Sequence, residues 1–213
     1  MKISIVTVAL NAEATIAKAV ASVVSQRQDG FELEYIIVDG ASSDGTLVAL
    51  MPHCDGIAHI ISEPDRGLYD AMNRGIAVAT GDFIGILNAD DAFAHPGVLA
   101  AVAARLEETS AKALYGDLDY VAADGTGQVV RRWRSGEKGP RSFLQGWMPP
   151  HPTLFLARSM YAKHGLYTLE LRSAADYELM LRMLYKHRVS ATYLPDVLVK
   201  MRTGGVSNAS WVN

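Results

Sequence analysis

The sequence predicts an α/β fold in which helices flank a mostly parallel sheet, with a smaller mixed half towards the C-terminus. Short β-branched runs alternate with helical patterns through the first half of the 213-residue chain. Hydrophobic residues make up 49% of the chain and charged residues 20%, a composition that can bury a sizeable core. Beyond residue 112 a hairpin pattern replaces the alternation, which indicates a different arrangement there.

Four strands are expected in the first half, at residues 3–8, 35–38, 57–62 and 83–87. The first, ISIVTV, is an apolar run too short for a helix, as is typical of a strand buried on both faces. A helical pattern follows each of the four strands. Strands that alternate with helices in this way predict right-handed βαβ units and hence a parallel sheet.

Four residues are expected to start or stop these helices. Asn11 is a candidate cap for the first helix, and Pro52 is expected to stop the second. Gly81 is expected to close the third helix, and Pro96 to open the fourth.

The second half begins with a predicted hairpin, formed by residues 113–121 and 128–133 around the turn sequence ADGTG. A strong helix is expected over 176–187, and residues 191–205 are expected to form one or two closing strands. The inward face of that helix is predicted to comprise Leu179, Met180, Met183, Leu184 and His187.

Composition and charge exclude several classes of protein. The formal net charge of −3 gives no basic footprint for nucleic acid. The single cysteine, Cys54, forms no internal disulfide, which favours a reducing compartment, and no apolar run is long enough to span a membrane. We therefore expect a cytoplasmic protein. Without a repeat or linker, residues 1–213 are interpreted as one domain with halves at 1–112 and 113–213.

Ligands of open parallel sheets bind beyond the carboxyl ends of the strands. The segments that follow the four predicted strands are 9–11, 39–44, 63–67 and 88–91, and three of them are rich in carboxylates. Like charges that converge on one edge repel each other. A divalent cation, or a ligand with many hydrogen-bond donors, would offset this repulsion.

Asp90 and Asp91 in NADD are candidate ligands of Mg²⁺ or Mn²⁺, which one or two carboxylates and substrate phosphates can hold together. An Asx-type turn explains the same tetrapeptide about equally well. Asp39 is a candidate partner of a ribose hydroxyl or base N–H, or a turn residue. Arg66 suits a diphosphate, although a surface salt bridge with Glu63 or Asp65 is the simpler explanation of it alone.

The first turn, VALNAEA, lacks the glycines of a dinucleotide-binding fold, and the chain contains no P-loop. The lone cysteine and the absence of H-E-x-x-H argue against zinc hydrolysis.

In the second half Asp176 opens the strongest helix, where it could serve as a general base or simply as an N-terminal cap. The basic run at 131–141 could contact anionic lipid or a phosphate-bearing acceptor, or could be a solvated edge. His151, Trp147 and Arg202 are further candidates for the acceptor or phosphate side.

Taken together, four ordered blocks resemble the inverting, GT-A-fold glycosyltransferases of family 2, over roughly residues 3–206. The blocks are SIVTVALNAEATIAKAVASVVSQ, EYIIVDGASSDGT, EPDRGLYDAMNRGIAVATGDFIGILNADD, and HPTLFLARSMYAKHGLY with SAADYELMLR. The third block is most similar to the branch that builds bacterial exopolysaccharide, capsule and O-antigen.

The resemblance implies a role for each matching residue. Asp176 would be the general base, Asp90 the metal ligand with Asp91 in support, and Arg66 the contact to the diphosphate. Asp39 would bind the uracil or its equivalent. The remaining residues implied to bind the nucleotide-sugar are Thr7, Val8, Ala9, Asn11, Glu13, Asn88 and Ala89.

The function implied is sugar transfer with inversion from a nucleotide-sugar, UDP-linked by default and GDP-linked as the alternative, with Mn²⁺ or Mg²⁺. The implied acceptor is a growing glycan carried on a polyprenyl diphosphate. The resemblance therefore implies peripheral contact of the enzyme with the membrane surface. Asn88 departs from the usual first Asp of the D-x-D-like motif. Three rivals stay open: a non-catalytic nucleotide- or glycan-binding module, a nicotinamide-dependent enzyme, and an interaction domain without a small ligand.

Overall fold

The structure, a computed structural model, describes residues 1–26 and 30–204. Nine strands form one sheet. The strands are β1 Lys2–Ala9, β2 Glu32–Asp39, β3 His59–Ser62, β4 Phe83–Asn88, β5 Ala92–Phe93, β6 Ala113–Val121, β7 Val129–Trp133, β8 Phe155–Ala157 and β9 Ala191–Arg202.

Six α-helices lie within the described residues. They are α1 Ile16–Val24, α2 Thr46–Leu50, α3 Leu68–Val78, α4 Val98–Thr109, α5 Arg158–His164 and α6 Ala175–Met180. Short 3₁₀ segments occupy Met51–Gly56, Pro140–Gln145 and His151–Thr153, and a π-helix at Leu181–Lys186 continues α6.

The strand order is β3-β2-β1-β4-β8-β6-β9-β5, with β7 added to β6. The first four strands of this order are parallel, whereas β8 is antiparallel to both β4 and β6. The predicted parallel sheet with a smaller mixed half is thereby confirmed. Because Ala9 is in register with Asp39 and Val8 with Asn88, the ends of β1, β2 and β4 lie at one edge.

Helices cover both faces of the sheet because β1 is apolar on both. Ile3 and Ile5 contribute to the cluster that contains α1 and α4. Val6 and Val8 contribute to the cluster on the opposite face, with α3 and α6. A Cβ atom on Gly75 would lie 2.3 Å from Cγ1 of Val6, so the missing side chain is what lets α3 pack this closely on β1.

Two expectations about helix ends, at Asn11 and Gly81, were wrong. Asn11 does not cap α1, which begins after Thr15 without a side-chain cap, because the Asn11 side chain bonds another loop. Helix α3 ends at Val78 and extended backbone follows at Ala79, so Gly81 lies outside it and donates its N–H to Ser4. Helix α2 ends at Leu50, next to Pro52 as expected, and Met51–Gly56 follows as a 3₁₀ turn that tolerates proline at its start.

The helix expected over 176–187 is also different. Leu179, Met180, Met183 and Leu184 are buried as expected, but His187 is exposed and stacks on His164. The wider π turn at Leu181–Lys186 rotates the last position away from the core. In the part of the chain that the structure describes, no helix is long and apolar enough to cross a membrane.

Candidate active site

Asp39, the last residue of β2, is fully buried and organises the loop that follows it. Its carboxylate accepts hydrogen bonds from the Ser42 N–H at 3.0 Å and the Ser62 hydroxyl at 2.7 Å, and also from the Ser42 hydroxyl. Three protein donors therefore occupy this carboxylate.

The loop after β1 is joined to the loop after β2 by hydrogen bonds. Asn11, at a φ of 50°, accepts a bond of 2.9 Å from the Ser43 N–H and donates its own N–H to Ser42 Oγ at 2.7 Å. Glu13 Oε2 accepts from the Gly45 N–H at 2.6 Å. Asn11 and Glu13 thus lie at the predicted edge, where they fix the two loops to each other.

Thr7, Val8 and Ala9 are buried in β1. The Thr7 hydroxyl accepts a hydrogen bond of 3.0 Å from the hydroxyl of Tyr35, so that side chain lies inside the sheet. The Ala9 carbonyl accepts from the Gly40 N–H at 2.9 Å. The three residues shape the backbone of the edge rather than presenting side chains there.

Arg66 stands just before α3, with a side chain that is 76% exposed. Its Nη2 lies 3.1 Å from Asp70 Oδ1, and its N–H donates to Asp70 Oδ2 at 3.1 Å. Hydrogen bonds from Arg66 lower the pKa of Asp70 below its usual value, and the bond from the backbone N–H contributes more than the bond from the guanidinium. Asp70 therefore holds Arg66 at its N–H and at Nη2, while most of the side chain faces solvent.

Asn88, Asp90 and Asp91 follow one another at the end of β4. Asn88 Nδ2 donates to Asp91 Oδ2 at 3.2 Å, whereas the buried Asn88 Oδ1 has no hydrogen-bond partner. Asp91 is 1% exposed, and burial, followed by the charge of Asp90, raises its pKa to about 8. Burial also raises the pKa of Asp90, which the charge of Arg202 partly opposes. Ala89 is buried between them.

These residues suit a divalent cation. Within residues 1–26 and 30–204, no three His, Cys, Asp or Glu side chains gather closely enough to hold a metal by themselves. Two carboxylates and an unpartnered amide oxygen are what a hard cation uses when substrate phosphates complete its shell. A positive charge would also stabilise these two carboxylates, one buried and one partly buried, whose pKa values are both raised.

Asp176 lies in the first turn of α6 and is partly buried. Its Oδ1 accepts hydrogen bonds from the Tyr69 hydroxyl at 3.3 Å and from the Tyr177 N–H at 2.8 Å. No hydrogen bond from the described residues reaches Oδ2. Burial and the charge of Asp176 raise the pKa of Tyr69 to about 12, so Tyr69 stays a hydrogen-bond donor. One carboxylate oxygen is thus held and the other is left free.

A cavity of about 330 Å³ brings Asp176 together with Asn88 and His151. His151 Nε2 lies 2.6 Å from the Tyr167 hydroxyl, and burial lowers the pKa of His151, which the charge of Asp176 opposes. The histidine predicted from its place between prolines therefore lies beside the predicted base. Residues that the sequence did not single out individually also line this cavity: Tyr69, Tyr120, Arg131, Trp133 and Met148.

Trp147 and Arg202 lie elsewhere. Trp147 donates its indole N–H to the Ser135 carbonyl at 3.1 Å and packs edge-on against Tyr115, so it does not line the Asp176 cavity. Arg202 donates its N–H to Asp91 Oδ1 at 3.2 Å, and it lines a second cavity, of about 510 Å³, with Asp90. Arg202 thus lies beside Asp90 and Asp91.

Comparison with known proteins matches residues 4–165 to the family described as glycosyl transferase family 2. A PGL/p-HBAD biosynthesis glycosyltransferase of Mycobacterium bovis is 30% identical over 210 residues, covering 96% of this chain and 78% of its own. Among solved structures, Staphylococcus aureus TarS 1–349 in complex with UDP-GlcNAc superposes with a TM-score of 0.79 at 20% identity, over 100% of this chain.

A second solved structure is the mannosyltransferase PcManGT of Pyrobaculum calidifontis in complex with GDP-Man and Mn²⁺, with a TM-score of 0.67 at 20% identity over 93% of this chain. This chain spans 62% of the crystallised TarS chain and 56% of the PcManGT chain. The likeness to both confirms the predicted GT-A fold.

Proposed function

Since this chain belongs to glycosyl transferase family 2, we propose that it transfers a sugar from a nucleoside diphosphate to a hydroxyl of a glycan acceptor, with inversion at the anomeric carbon. The observation that carries the proposal is the cavity shared by Asp176, from the second half, and Asn88, from the strand end of the first. We assign residues 1–112 to the nucleotide-sugar and residues 113–213 to the acceptor.

In this mechanism Asp176 takes the proton from the acceptor hydroxyl as that oxygen attacks the sugar. The free Oδ2 is the atom that would accept it, because Oδ1 already receives two hydrogen bonds. Tyr69 and the Tyr177 N–H hold the carboxylate in place. No covalent intermediate is needed, so one carboxylate at the reacting carbon suffices.

Asp90, with Asp91 and Asn88 Oδ1, would hold Mn²⁺ or Mg²⁺ against the diphosphate. When bound, the cation supplies positive charge that stabilises the leaving diphosphate. Arg66 adds a guanidinium whose exposed face can pair with phosphate oxygens. Asn11, Glu13 and Asp39 keep the loops of the edge in the shape that receives the nucleoside.

A UDP-sugar is the favoured substrate because the better-superposing structure holds UDP-GlcNAc, with a GDP-sugar as the alternative that the GDP-Man complex supports. The acceptor class, a glycan of the bacterial surface built on a polyprenyl diphosphate, follows the resemblance to the polysaccharide branch. Free Cys54 and a nucleotide-sugar substrate fit a cytoplasmic location with peripheral contact at the inner membrane face.

Thermal unfolding with UDP, GDP or NADH, each with and without Mn²⁺, tests the nucleotide site. A ligand at about 100 times its Kd stabilises the native state by about 2.7 kcal/mol, which raises the Tm by several degrees. We expect a shift that needs both a nucleoside diphosphate and Mn²⁺. A shift with NADH alone would contradict the transferase. A nucleotide shift without turnover of any sugar donor would favour the non-catalytic binding module.

A further inference from the structure

One wall of the Asp176 cavity is formed by one face of the β6–β7 hairpin. Antiparallel pairing sets Leu118 opposite Trp133 and Tyr120 opposite Arg131. Side chains of paired residues project from the same face of a sheet. All four of these residues accordingly line the cavity that contains Asp176.

Tyr120, Arg131 and Trp133 form an ordered group, which we name the arginine–aromatic wall. The two rings are parallel within 7°, with centroids 6.4 Å apart. The Arg131 guanidinium carbon lies 5.2 Å from the Tyr120 centroid and 5.7 Å from the Trp133 centroid. Contacts of this length between a cation and aromatic rings are attractive and fix the direction of the guanidinium.

The charge of Arg131 is not balanced by a carboxylate. Within the described residues, Arg131 forms no ion pair, and its side chain is exposed to solvent. On the opposite face of the hairpin the situation is reversed, since Arg134 lies 2.9 Å from Asp119 and 3.6 Å from Asp117. Of the basic run at 131–141, Arg131 alone brings a positive charge into the cavity.

We propose that the arginine–aromatic wall binds an anionic group, a carboxylate or a phosphate, on the acceptor close to its attacking hydroxyl. This inference rests on the proposed function and names the acceptor class of the same site. A cavity of about 330 Å³ is at the small end of the range for small-molecule sites, about 300–1,000 Å³, so a bound group there lies near both Arg131 and Asp176. A guanidinium pairs well with planar or tetrahedral oxyanions, and the rings offer a surface for the apolar face of a sugar.

The test compares monosaccharide probes with and without an anionic group. Methyl glucuronide, glucose 1-phosphate and methyl glucoside are titrated by saturation-transfer NMR in the presence of UDP and Mn²⁺. We expect at least one charged probe to bind the wild type about tenfold more tightly than the neutral glucoside. The glucuronide and the phosphate separate a carboxylate from a phosphate as the preferred group.

Arg131→Gln and Arg132→Gln form a matched pair, because Arg132 is the next residue of β7, is equally exposed and does not line the cavity. Arg131→Gln should remove the preference for the charged probe, whereas Arg132→Gln should keep it. Equal affinity of the wild type for charged and neutral probes, or the same response from both variants, overturns the inference. UDP-dependent stabilisation and turnover of the sugar donor are recorded on the same samples, so a wrong acceptor class, which leaves both intact, is distinguished from a wrong transferase assignment, in which turnover is absent.

Discussion

The edge formed by the ends of β1 and β2 and the Asp176 cavity use polar side chains in opposite ways. At the edge, Asp39 receives hydrogen bonds from two serines, and Asn11 and Glu13 bond the backbone of the neighbouring loop. In the cavity, Asp176 Oδ2 and the Arg131 guanidinium have no polar partner within the described residues. Asn88 Oδ1, which lies where the two regions meet, is buried and unpartnered.

Buried polar groups are nearly always hydrogen-bonded, so an unpartnered one calls for an explanation. At the edge the polar groups are saturated, and they act by holding backbone in place. Around the cavity Asp176 Oδ2, Asn88 Oδ1 and the Arg131 guanidinium are free, which is the state expected of groups that meet a substrate or ion. Substitutions in the two regions should therefore differ: those at the edge should reduce stability, and those around the cavity should reduce activity.

Among the residues at the strand ends, the largest loss of turnover is expected for Asp90→Ala. This change removes a metal ligand, so the Mn²⁺-dependent part of the UDP stabilisation should disappear and turnover should fall by a factor of about 100 or more. Thermal unfolding and an assay of UDP release measure the two effects. Asp55→Ala, which removes an exposed carboxylate that lies in the 3₁₀ segment before β3 and lines neither cavity, is the control and should behave like the wild type. Unchanged Mn²⁺ dependence in Asp90→Ala would remove Asp90 from the metal site.

Asp39→Asn tests the saturated side of the comparison. An amide oxygen accepts less strongly than a carboxylate, and its NH₂ group would face the Ser42 N–H or the Ser62 hydroxyl. The free energy of unfolding should fall by about 1–3 kcal/mol, the cost of leaving buried polar groups unpaired. Urea unfolding at neutral pH measures this change. A fully stable variant with weak UDP binding would instead mean that Asp39 acts on the nucleotide directly.

The raised pKa of Asp91 predicts that the free energy of unfolding depends on pH, and that a bound cation reverses this dependence. The folded pKa of Asp91, about 8, lies above the ordinary value of about 4, so the native state holds the extra proton between those pH values. Without metal, its contribution makes the free energy of unfolding fall as pH rises from about 4 to about 8, by at most about 1.4 kcal/mol per pH unit. Asp91→Asn should remove that part of the slope, and Mn²⁺ should stabilise the wild type more at high pH. An identical slope in both proteins would contradict the assignment.

The smallest effect is expected for Tyr69→Phe, which deletes one hydrogen bond to Asp176. Turnover should fall about three- to tenfold, in keeping with about 1 kcal/mol for such a bond. Tyr193→Phe is the matched control, since it deletes a tyrosine–aspartate bond of 2.9 Å to Asp117 outside the cavity. Similar losses of turnover in both variants would mean that the effect is one of general stability.

The edge could be predicted from the sequence because it depends on local order along the chain. Each polar segment directly follows an apolar strand, and parallel strands carry those segments to one edge, as Asp39 and Asn88 show. What each side chain does there depends on partners from other loops. Asn11 therefore satisfied the pattern of a helix cap, although its amide bonds Ser43, which is 32 residues away.

The cavity was less predictable because distant segments assemble it. Asp176 meets Tyr69 across 107 residues of sequence, and no local pattern reports such a contact. The alternation of the hairpin could have placed Arg131 and Trp133 on one face, but not beside the base. His187 shows a further limit, since a single π-helical turn moved it out of the face that regular helical spacing predicts.

The role of Asp176 as the base is tested by sugar transfer in Asp176→Asn, measured together with the affinity of this variant for UDP and Mn²⁺. The variant keeps the shape of the side chain and the acceptor oxygen for Tyr69, but it cannot take a proton. We expect UDP and Mn²⁺ to stabilise Asp176→Asn as they do the wild type, while its turnover falls by a factor of about 100–10,000. Wild-type turnover in Asp176→Asn would contradict the proposal that Asp176 is the base of an active site formed by the cavity and the strand ends.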